Sequence, residues 1–134
     1  MKVLYIDDEA DTEKMASKFE IMKENGIDVA SVVKVEDVLP MLKKLSSEIG
    51  LIVLDIIMPP GDFYKMDETN GGTTTGLRLL KDIRKEYKNI LIIIISIKRP
   101  KNTEEILNKY NVSKWLDKPI STYLVAKTIK SLMK

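Results

Sequence analysis

The most informative part of the chain is Leu51-Ile52-Val53-Leu54-Asp55-Ile56-Ile57-Met58-Pro59-Pro60. It begins with four apolar residues, a run too short for an independent helix and typical of a strand buried on both faces. The two prolines then end the strand, so that Asp55 lies at its carboxyl end. Because ligands of open α/β sheets bind just outside the carboxyl ends of the strands, Asp55 is a candidate functional residue. The alternative is an aspartate that only caps the junction between strand and loop.

The pattern of apolar residues on both sides of this strand alternates between strands and helices. Strands are predicted at 2–6, 28–33, 51–54, 90–95 and 114–116, and helices at 10–25, 35–45, 77–87, 102–110 and around Val125, Ile129 and Leu132. No change of composition along the chain marks a domain boundary. The alternation therefore predicts a single α/β domain over residues 1–134, with a parallel sheet covered by helices on both faces.

Individual residues are expected to mark where several helices begin and end. Gly26 stands just after the first helix, where glycine is usual, and Asn111 can close the fourth helix. Asn102 is followed three residues later by Glu105, the spacing of a capping box that opens a helix. Gly50 is expected to end the second helix before the central strand.

Residues 61–75 show no apolar periodicity and are rich in glycine, threonine, aspartate and asparagine. This composition predicts a long exposed loop, and a loop of that length in a compact domain is usually functional or mobile. Asp62, Asp67 and Glu68 raise the alternative of a metal site within it. Their spacing does not match a calcium-binding loop, so we favour solvated carboxylates.

The overall composition excludes several classes of protein. Apolar residues make up 44% of the 134 residues and charged residues 31%, as in ordinary globular proteins. A net charge of +2 is too small to indicate nucleic-acid binding. Cysteine and histidine are both absent, which excludes thiolate nucleophiles and zinc sites built from these residues. No apolar run approaches the roughly 20 residues that span a bilayer, and no signal peptide is recognisable, so a cytoplasmic protein is expected.

Polar side chains follow four of the predicted strands: Asp7 and Asp8, Asp55, Ser96, and Lys118. At one edge of a parallel sheet the three carboxylates would repel one another, and binding a cation or a proton would relieve this repulsion. Oxygen ligands without histidine or cysteine favour Mg²⁺ over zinc. A lysine and a hydroxyl beside such a site suit a phosphoryl group. If Asp55 attacks phosphorus, the product is an aspartyl phosphate.

Four motifs of this chain carry a resemblance to a known family. They are Ile6-Asp7-Asp8-Glu9, Leu54-Asp55-Ile56-Ile57-Met58-Pro59, Ser96 after the isoleucine-rich strand, and Lys118-Pro119 after Trp115-Leu116-Asp117. Together, and in this order, they resemble the receiver domain of two-component response regulators over nearly the entire chain. The resemblance implies a flavodoxin-like (βα)5 fold, a three-layer sandwich whose parallel five-stranded sheet has the order 2-1-3-4-5.

The same resemblance implies a phosphorylation site with a metal ion. Asp55 would be the phosphoacceptor. Asp7, Asp8, Asp55 and the backbone carbonyl of Ile57 would bind Mg²⁺. The cofactor expected from the resemblance is therefore Mg²⁺ alone.

The resemblance also implies which residues respond to phosphorylation. Ser96 would hydrogen-bond the phosphoryl group and Lys118 would pair with its charge. Ser96 and Trp115 would act as switch residues, although packing on a short edge strand is an equal interpretation of Trp115. The Lys118–Pro119 peptide bond is often cis in the family.

Several features depart from the family pattern. The loop between Asp55 and Gly76 is about a dozen residues longer than usual, judged by motif spacing. Ile97 replaces the small residue that normally follows the serine, and it would narrow access for a phosphodonor. Slowed phosphorylation and complete loss of phosphorylation are both compatible with that substitution. Lys98, Arg99 and Lys101 are interpreted as a solvated loop, with a basic lip over the site as the alternative.

Three functions are compatible with these residues. The first is a stand-alone receiver in a phosphorelay, phosphorylated by a sensor histidine kinase or phosphotransfer protein and acting on an unidentified protein partner, without direct contact to nucleic acid or membrane. The second is a receiver-like interaction module that signals without phosphate. The third, a Mg²⁺-dependent phosphohydrolase, is disfavoured because Ile57 replaces the second aspartate of such enzymes. We therefore expect phosphorylation and dephosphorylation of Asp55 only, without turnover of outside substrates.

Overall fold

The computed structural model describes residues 2–134. Its elements are β1 (Lys2–Ile6), α1 (Glu13–Glu24), β2 (Asp28–Val32), a 3-10 turn (Val35–Asp37), α2 (Val38–Leu45), β3 (Ile49–Asp55), α3 (Thr75–Glu86), β4 (Leu91–Ser96), α4 (Thr103–Lys109), β5 (Lys114–Asp117) and α5 (Thr122–Leu132). All strand pairs are parallel, and the sheet has the order β2-β1-β3-β4-β5. The predicted flavodoxin-like fold and its strand order are confirmed.

Two apolar clusters cover the two faces of the sheet. The side chains of α2, α3 and α4 pack on one face, where β3 contributes Ile52 and Leu54. The side chains of α1 and α5 pack on the other face, where β3 contributes Leu51 and Val53. Because successive strand residues point to opposite faces, Asp55 lies on the side of α1 and α5. The central strand is buried on both faces, as its continuous apolar run predicts.

Two helix ends follow the sequence-based prediction. Gly26 adopts φ +80° after α1, and the amide of Ile27 donates to the carbonyl of Met22 at 3.0 Å. Asn111 adopts φ +52° after α4, and the amide of Val112 donates to the carbonyl of Leu107 at 2.9 Å. Both ends have the hydrogen bond of a Schellman motif, in which the residue after the cap is left-handed.

One other predicted boundary was wrong, and one predicted cap lacks its side-chain hydrogen bond. Gly50 does not end α2; it lies inside β3, where the register between β1 and β3 shifts as Lys2 pairs with Ile49 and Val3 with Leu51. The extra glycine therefore forms a bulge in the strand. Asn102 is the N-cap residue of α4, as the sequence predicts, but its side chain makes no capping hydrogen bond. Its backbone, at φ −93° and ψ 29°, departs from the extended conformation in which a capping side chain reaches the amides of the first turn.

The segment 61–75 is less exposed than its composition predicts. Thr75 already belongs to α3, and Tyr64 and Thr69 are buried. The hydroxyl of Tyr64 donates to the carboxylate of Asp82 in α3, and the guanidinium of Arg78 lies 5.5 Å from the centre of the Tyr64 ring. The prediction of a wholly exposed loop was wrong because these contacts reach residues far along the chain.

The acidic residues of this segment do not converge. Asp62, Asp67 and Glu68 are exposed, and within residues 2–134 they join no cluster of metal-ligating side chains. Glu68 is not simply solvated, because one carboxylate oxygen accepts the amide hydrogen of Lys65 at 3.2 Å and the other lies 3.9 Å from a guanidinium nitrogen of Arg78. None of the helices between residues 2 and 134 combines the length and the apolar character needed to cross a membrane.

Candidate functional site

Strand β1 delivers two carboxylates to the carboxyl edge of the sheet. The amide of Asp7 continues the strand pairing by donating to the carbonyl of Val32 at 3.1 Å. The Asp7 side chain is only 3% exposed, and its Oδ1 accepts the amide hydrogen of Glu9 at 2.9 Å. Asp8 follows in the turn and is half-buried. The end of β1 therefore fixes one buried carboxylate and places a second beside it.

Strand β3 delivers Asp55 to the same edge. The side chain is buried, and its Oδ1 accepts the amide hydrogen of Ile57 at 3.3 Å. This bond turns the carboxylate toward the edge of the sheet and leaves Oδ2 for other partners. The amide of Ile57 is thus placed beside Asp55, whereas metal binding by the Ile57 carbonyl stays a prediction.

The three predicted acidic ligands converge. One carboxylate oxygen from each of Asp7, Asp8 and Asp55 lies within 4.8 Å of the other two. In the described part of the chain, this is the one cluster of three or more potential metal ligands. Carboxylate oxygens at this spacing are the donor set that a hard divalent cation such as Mg²⁺ prefers.

The ammonium group of Lys118 lies between two of these acids. Its Nζ is 3.4 Å from Oδ2 of Asp7 and 3.4 Å from Oδ2 of Asp55. The backbone of Lys118 is fixed as well, because its amide donates to the carbonyl of Ser96 at 2.9 Å. The Lys118–Pro119 peptide bond is cis, as the resemblance implies. Strands β4 and β5 thus hold the lysine over the acidic cluster.

Burial and charge shift the pKa values of this site. The pKa of Asp55 is raised to about 6, mainly by burial and in part by the charge of Asp7, against the opposing effects of Lys118 and the Ile57 amide. Burial and the charge of Asp7 also raise the pKa of Asp8. Burial lowers the pKa of Lys118, but Asp55 and Asp7 outweigh that effect and leave it above its ordinary value. The site therefore favours a positive ion or a proton near Asp55.

Ser96 lies at the same edge but points to a different partner. It is fully buried at the end of β4, and its Oγ accepts the amide hydrogen of Lys98 at 3.3 Å. Among residues 2–134, no hydrogen bond joins the Ser96 hydroxyl to Asp55 or Lys118. The structure thus brings the predicted serine to the site without engaging it with the acids.

Comparison with known proteins decides the family. The family model described as "Response regulator receiver domain" matches residues 3–130. This chain is a member of the response regulator receiver domain family. Such receiver domains work in two-component phosphorelay signalling, interact with histidine kinases or phosphotransfer proteins, and generally bind Mg²⁺ at an acidic pocket.

Solved receiver structures have the same fold. A CheY-like receiver domain protein from Methanospirillum hungatei is 19% identical, with a TM-score of 0.73 and coverage of 98% of this chain and 92% of that one. Chemotaxis protein CheY4 from Vibrio cholerae is 21% identical, with a TM-score of 0.72 and coverage of 97% and 96%. The receiver domain of the Francisella response regulator 1452 is 26% identical, with a TM-score of 0.72 and coverage of 98% and 94%. A comparison with curated protein sequences found no match.

Two further residues of this receiver domain lie in different surroundings: Trp115, a predicted switch residue, and Ile97, which is predicted to narrow access for a phosphodonor. Trp115 is 6% exposed and packs in the apolar cluster of α2, α3 and α4, on the sheet face opposite to Asp55. Its indole nitrogen is buried without a hydrogen-bond partner in the described residues. Ile97 is 65% exposed and lines a cleft of about 470 Å³ together with Asp7 and Lys118. Ile97 is therefore an exposed side chain of the cleft that Asp7 and Lys118 line, and narrowed access to Asp55 stays a prediction.

Arg99 corrects one sequence-based interpretation. The guanidinium does not simply lie in solvent, because Nε donates to Oδ1 of Asp117 at 3.2 Å and one terminal nitrogen donates to Oδ2 at 3.1 Å. Lys98 and Lys101 are exposed, as a solvated loop predicts. The expected loop is therefore tied to β5 at one residue.

Sequence reasoning missed Tyr5 in this receiver domain. Tyr5 lines the same cleft as Asp7 and Lys118, and its ring packs edge-on against Phe19 with 5.2 Å between the ring centres. Burial, followed by the charges of Asp7 and Asp55, raises the pKa of its hydroxyl. The two-residue period of a strand places Tyr5 on the same face as Asp7, so the sequence carried a signal for it.

Proposed function

We propose that this receiver domain accepts a phosphoryl group on Asp55 with the help of Mg²⁺ and passes the signal on through a protein-contact surface. The observation that supports this most directly is the position of Lys118 Nζ, 3.4 Å from Oδ2 of both Asp7 and Asp55. A cation held between a buried acid and a reactive carboxylate is placed to pair with the charge of a phosphoryl group. The convergence of Asp8 on the same point adds the third carboxylate of a metal site.

The reaction is a transfer of phosphorus between two nucleophiles. One carboxylate oxygen of Asp55 forms a bond to phosphorus, while the bond from phosphorus to the donor's nitrogen or oxygen breaks and the donor leaves with that electron pair. Asp7, Asp8, Asp55 and the carbonyl of Ile57 would hold Mg²⁺, which would neutralise charge on the phosphoryl oxygens. Lys118 would donate hydrogen bonds to the same oxygens.

The pKa of Asp55 suits this role. The nucleophile must be ionised, and a pKa of about 6 leaves most of the carboxyl ionised at neutral pH. The same raised pKa makes the carboxylate more basic than an exposed aspartate, because burial weakens its solvation. Binding of Mg²⁺ would lower this pKa and keep Asp55 ionised.

The output of the domain would follow from movement of Ser96. A phosphoryl group on Asp55 adds acceptor oxygens close to the end of β4, and the Ser96 hydroxyl would turn from the Lys98 amide to donate to one of them. Trp115 carries the second switch role in this proposal. Its side chain belongs to the apolar cluster that includes Ile106 of α4, and a change of packing in that cluster would alter the surface that a downstream protein contacts.

The expected phosphodonor is a sensor histidine kinase or a phosphotransfer protein. The downstream protein stays unidentified, and the proposal includes no direct nucleic-acid contact and no membrane insertion. It places the activity in the cytoplasm. It also includes no turnover of outside substrates, so steady hydrolysis of a phosphomonoester by the purified protein would argue for a phosphohydrolase instead.

Acetyl phosphate with Mg²⁺ tests the proposal, with intact mass spectrometry as the measurement. The wild-type protein should gain the mass of one phosphoryl group, and Asp55→Asn should gain none. Asp11→Asn is a matched control, because Asp11 is an exposed aspartate near the site that belongs to no metal cluster. It should gain the same mass as the wild type.

A receiver-like module that signals without phosphate is the alternative. It is favoured by Ile97, an exposed branched side chain that lines the cleft with Asp7 and Lys118 and would narrow access for a phosphodonor. Absence of any mass gain at high acetyl phosphate and long incubation would favour this alternative. Ile97→Ala then separates a blocked site from an inactive one, since only a blocked site gains phosphorylation when the side chain is shortened.

A further inference from the structure

Arg99 makes three hydrogen bonds that cross from the loop after β4 to strand β5. Its Nε donates to Oδ1 of Asp117 at 3.2 Å, and one terminal nitrogen donates to Oδ2 at 3.1 Å. The same nitrogen donates to the backbone carbonyl of Trp115 at 3.0 Å. A guanidinium paired with both oxygens of one carboxylate is a planar contact with a defined orientation. The contact therefore fixes where the loop lies relative to β5.

The loop that Arg99 fixes also provides the hydrogen-bond partner of the Ser96 hydroxyl. Lys98, the residue before Arg99, donates its amide hydrogen to Ser96 Oγ at 3.3 Å. On the other side of the contact, Asp117 directly precedes Lys118, whose amide donates to the Ser96 carbonyl at 2.9 Å. Ser96 is thus held at its hydroxyl and at its backbone carbonyl by the two segments that the Arg99–Asp117 pair joins.

We propose that Arg99 and Asp117 form a latch that holds residues 97–99 in the resting position and so opposes phosphorylation-dependent movement of Ser96. If the Ser96 side chain turns to donate to a phosphoryl group on Asp55, its Oγ moves away from the Lys98 amide, and the loop that carries this amide must adjust. The latch resists that adjustment because Arg99 is anchored to Asp117 and Trp115. This inference rests on the proposed function and concerns regulation of the same site.

The latch and a purely electrostatic effect of Arg99 predict opposite changes in the affinity for a phosphoryl group. Arg99 is a cation near an anion-binding site, so its charge alone would strengthen binding of a phosphoryl group. If Arg99 acted only through its charge, its removal would therefore weaken this binding. If Arg99 is part of a latch, its removal strengthens the binding, because the contacts of the resting state no longer have to be broken. Both side chains are partly exposed, at 45% for Arg99 and 58% for Asp117, so the latch is weak enough to open. Exposed pairs of this kind alter equilibria by about twofold to fivefold.

Beryllium fluoride with Mg²⁺, a tetrahedral analogue of a phosphoryl group, is the probe for the test. Arg99→Gln should bind it about twofold to fivefold more tightly than the wild type in calorimetric titration. Lys101→Gln removes the same charge from the same loop without touching Asp117 and should bind no more tightly than the wild type. Weaker binding by Arg99→Gln, or an equal gain in both variants, would overturn the latch.

A double-mutant cycle tests the pairing itself. Asp117→Asn should raise the affinity as well, and the double variant with Arg99→Gln should gain no more than the larger single effect. Fully additive gains would mean that the two side chains act separately and would overturn the latch. Both residues lie at the surface, so the variants are expected to fold.

Hydrogen exchange of the Lys98 amide measures the latch without any phosphoryl analogue. Arg99→Gln should exchange this amide faster than wild type and Lys101→Gln, because the loop that carries it is released. An unchanged rate would overturn the latch even if affinities differ. If wild type and every variant fail to bind beryllium fluoride, the proposed function fails, and the exchange rate still decides whether Arg99 holds the loop.

Discussion

Gly76 and Asp55 approach each other so closely that no side chain fits between them. A Cβ atom placed on Gly76 would lie 2.3 Å from the carbonyl oxygen of Asp55 and 2.5 Å from the Cα atom of Ile56. The amide of Gly76 also donates to the carbonyl of Ile56 at 2.8 Å. The first turn of α3 therefore rests directly on the backbone that carries the proposed phosphoacceptor.

Gly76→Ala should destabilise the protein by about 2 kcal/mol or more, because the methyl group forces backbone atoms apart in a packed interior. Higher helix propensity of alanine offsets only about 1 kcal/mol of this. The midpoint of urea unfolding measures the effect, with Lys81→Ala on the exposed side of α3 as the control. Equal midpoints for Gly76→Ala and the control would contradict the close approach.

Asp55→Asn should stabilise the protein at pH 7 in the absence of Mg²⁺, by roughly 1 to 3 kcal/mol. The pKa of Asp55 is raised to about 6, mainly by burial, so its ionised form is disfavoured in the folded state. The favourable contribution of a raised carboxyl pKa is complete below about pH 4 and is lost as the pH rises through about 6. The asparagine side chain of Asp55→Asn does not ionise, so the variant does not lose stability in this way as the pH rises.

The pH dependence provides the check on this prediction. Thermal unfolding of the wild type and Asp55→Asn should differ most at pH 7, and the difference should shrink toward zero below about pH 3, where Asp55 is protonated in both the folded and the unfolded state. Mg²⁺ at pH 7 should stabilise the wild type more than the variant, since it binds the ionised carboxylate. If the difference in stability between the two proteins grew toward acidic pH, the raised pKa of Asp55 would be contradicted.

Much of the fold was predictable because its determinants are local. Alternation of apolar runs predicts the parallel sheet, and Gly26 and Asn111 end their helices where a left-handed residue is required. Gly50 was misassigned because a glycine favours both a helix end and a strand bulge, and only pairing with β1 distinguishes them. Asn102 stands at the N-cap position that the sequence predicts, but its backbone is not extended, so its side chain makes no capping hydrogen bond.

The convergence of the acidic side chains and Lys118 was predictable, whereas their individual contacts were not. Parallel strands bring Asp7, Asp55 and Lys118 to one edge, so motif order along the chain was enough to place them together. The Arg99–Asp117 pair and the Tyr64–Asp82 bond join residues that are each 18 positions apart in sequence. Such pairs depend on side-chain directions that no periodicity specifies.

Asp8→Ala should weaken Mg²⁺ binding by about tenfold or more, because it removes one of the three clustered carboxylates. Ser96→Ala should leave the affinity within about twofold, since the serine hydroxyl faces the Lys98 amide and not the acids. Calorimetric titration with MgCl₂ compares the two. Equal losses in both variants would remove Asp8 from the proposed ligand set.

Tyr64→Phe should loosen the segment between β3 and α3. The Tyr64 hydroxyl donates to the carboxylate of Asp82, and its ring lies beneath the guanidinium of Arg78, so the segment packs onto α3. Loss of a partly buried hydrogen bond to a charged group should reduce the free energy of unfolding by about 1 to 2 kcal/mol. The phenylalanine ring retains the contact with Arg78, which isolates the contribution of the hydroxyl.

Tyr123→Phe is the matched control. Tyr123 is 65% exposed on α5, so this substitution removes a tyrosine hydroxyl from the surface of the protein. It should leave the unfolding midpoint unchanged. Hydrogen exchange between residues 61 and 74 should accelerate in Tyr64→Phe alone, since release of the segment exposes its amides to water. Unchanged exchange there, with a lower unfolding midpoint, would show that the Tyr64–Asp82 bond stabilises α3 without holding the segment, and the packing argument would then fail.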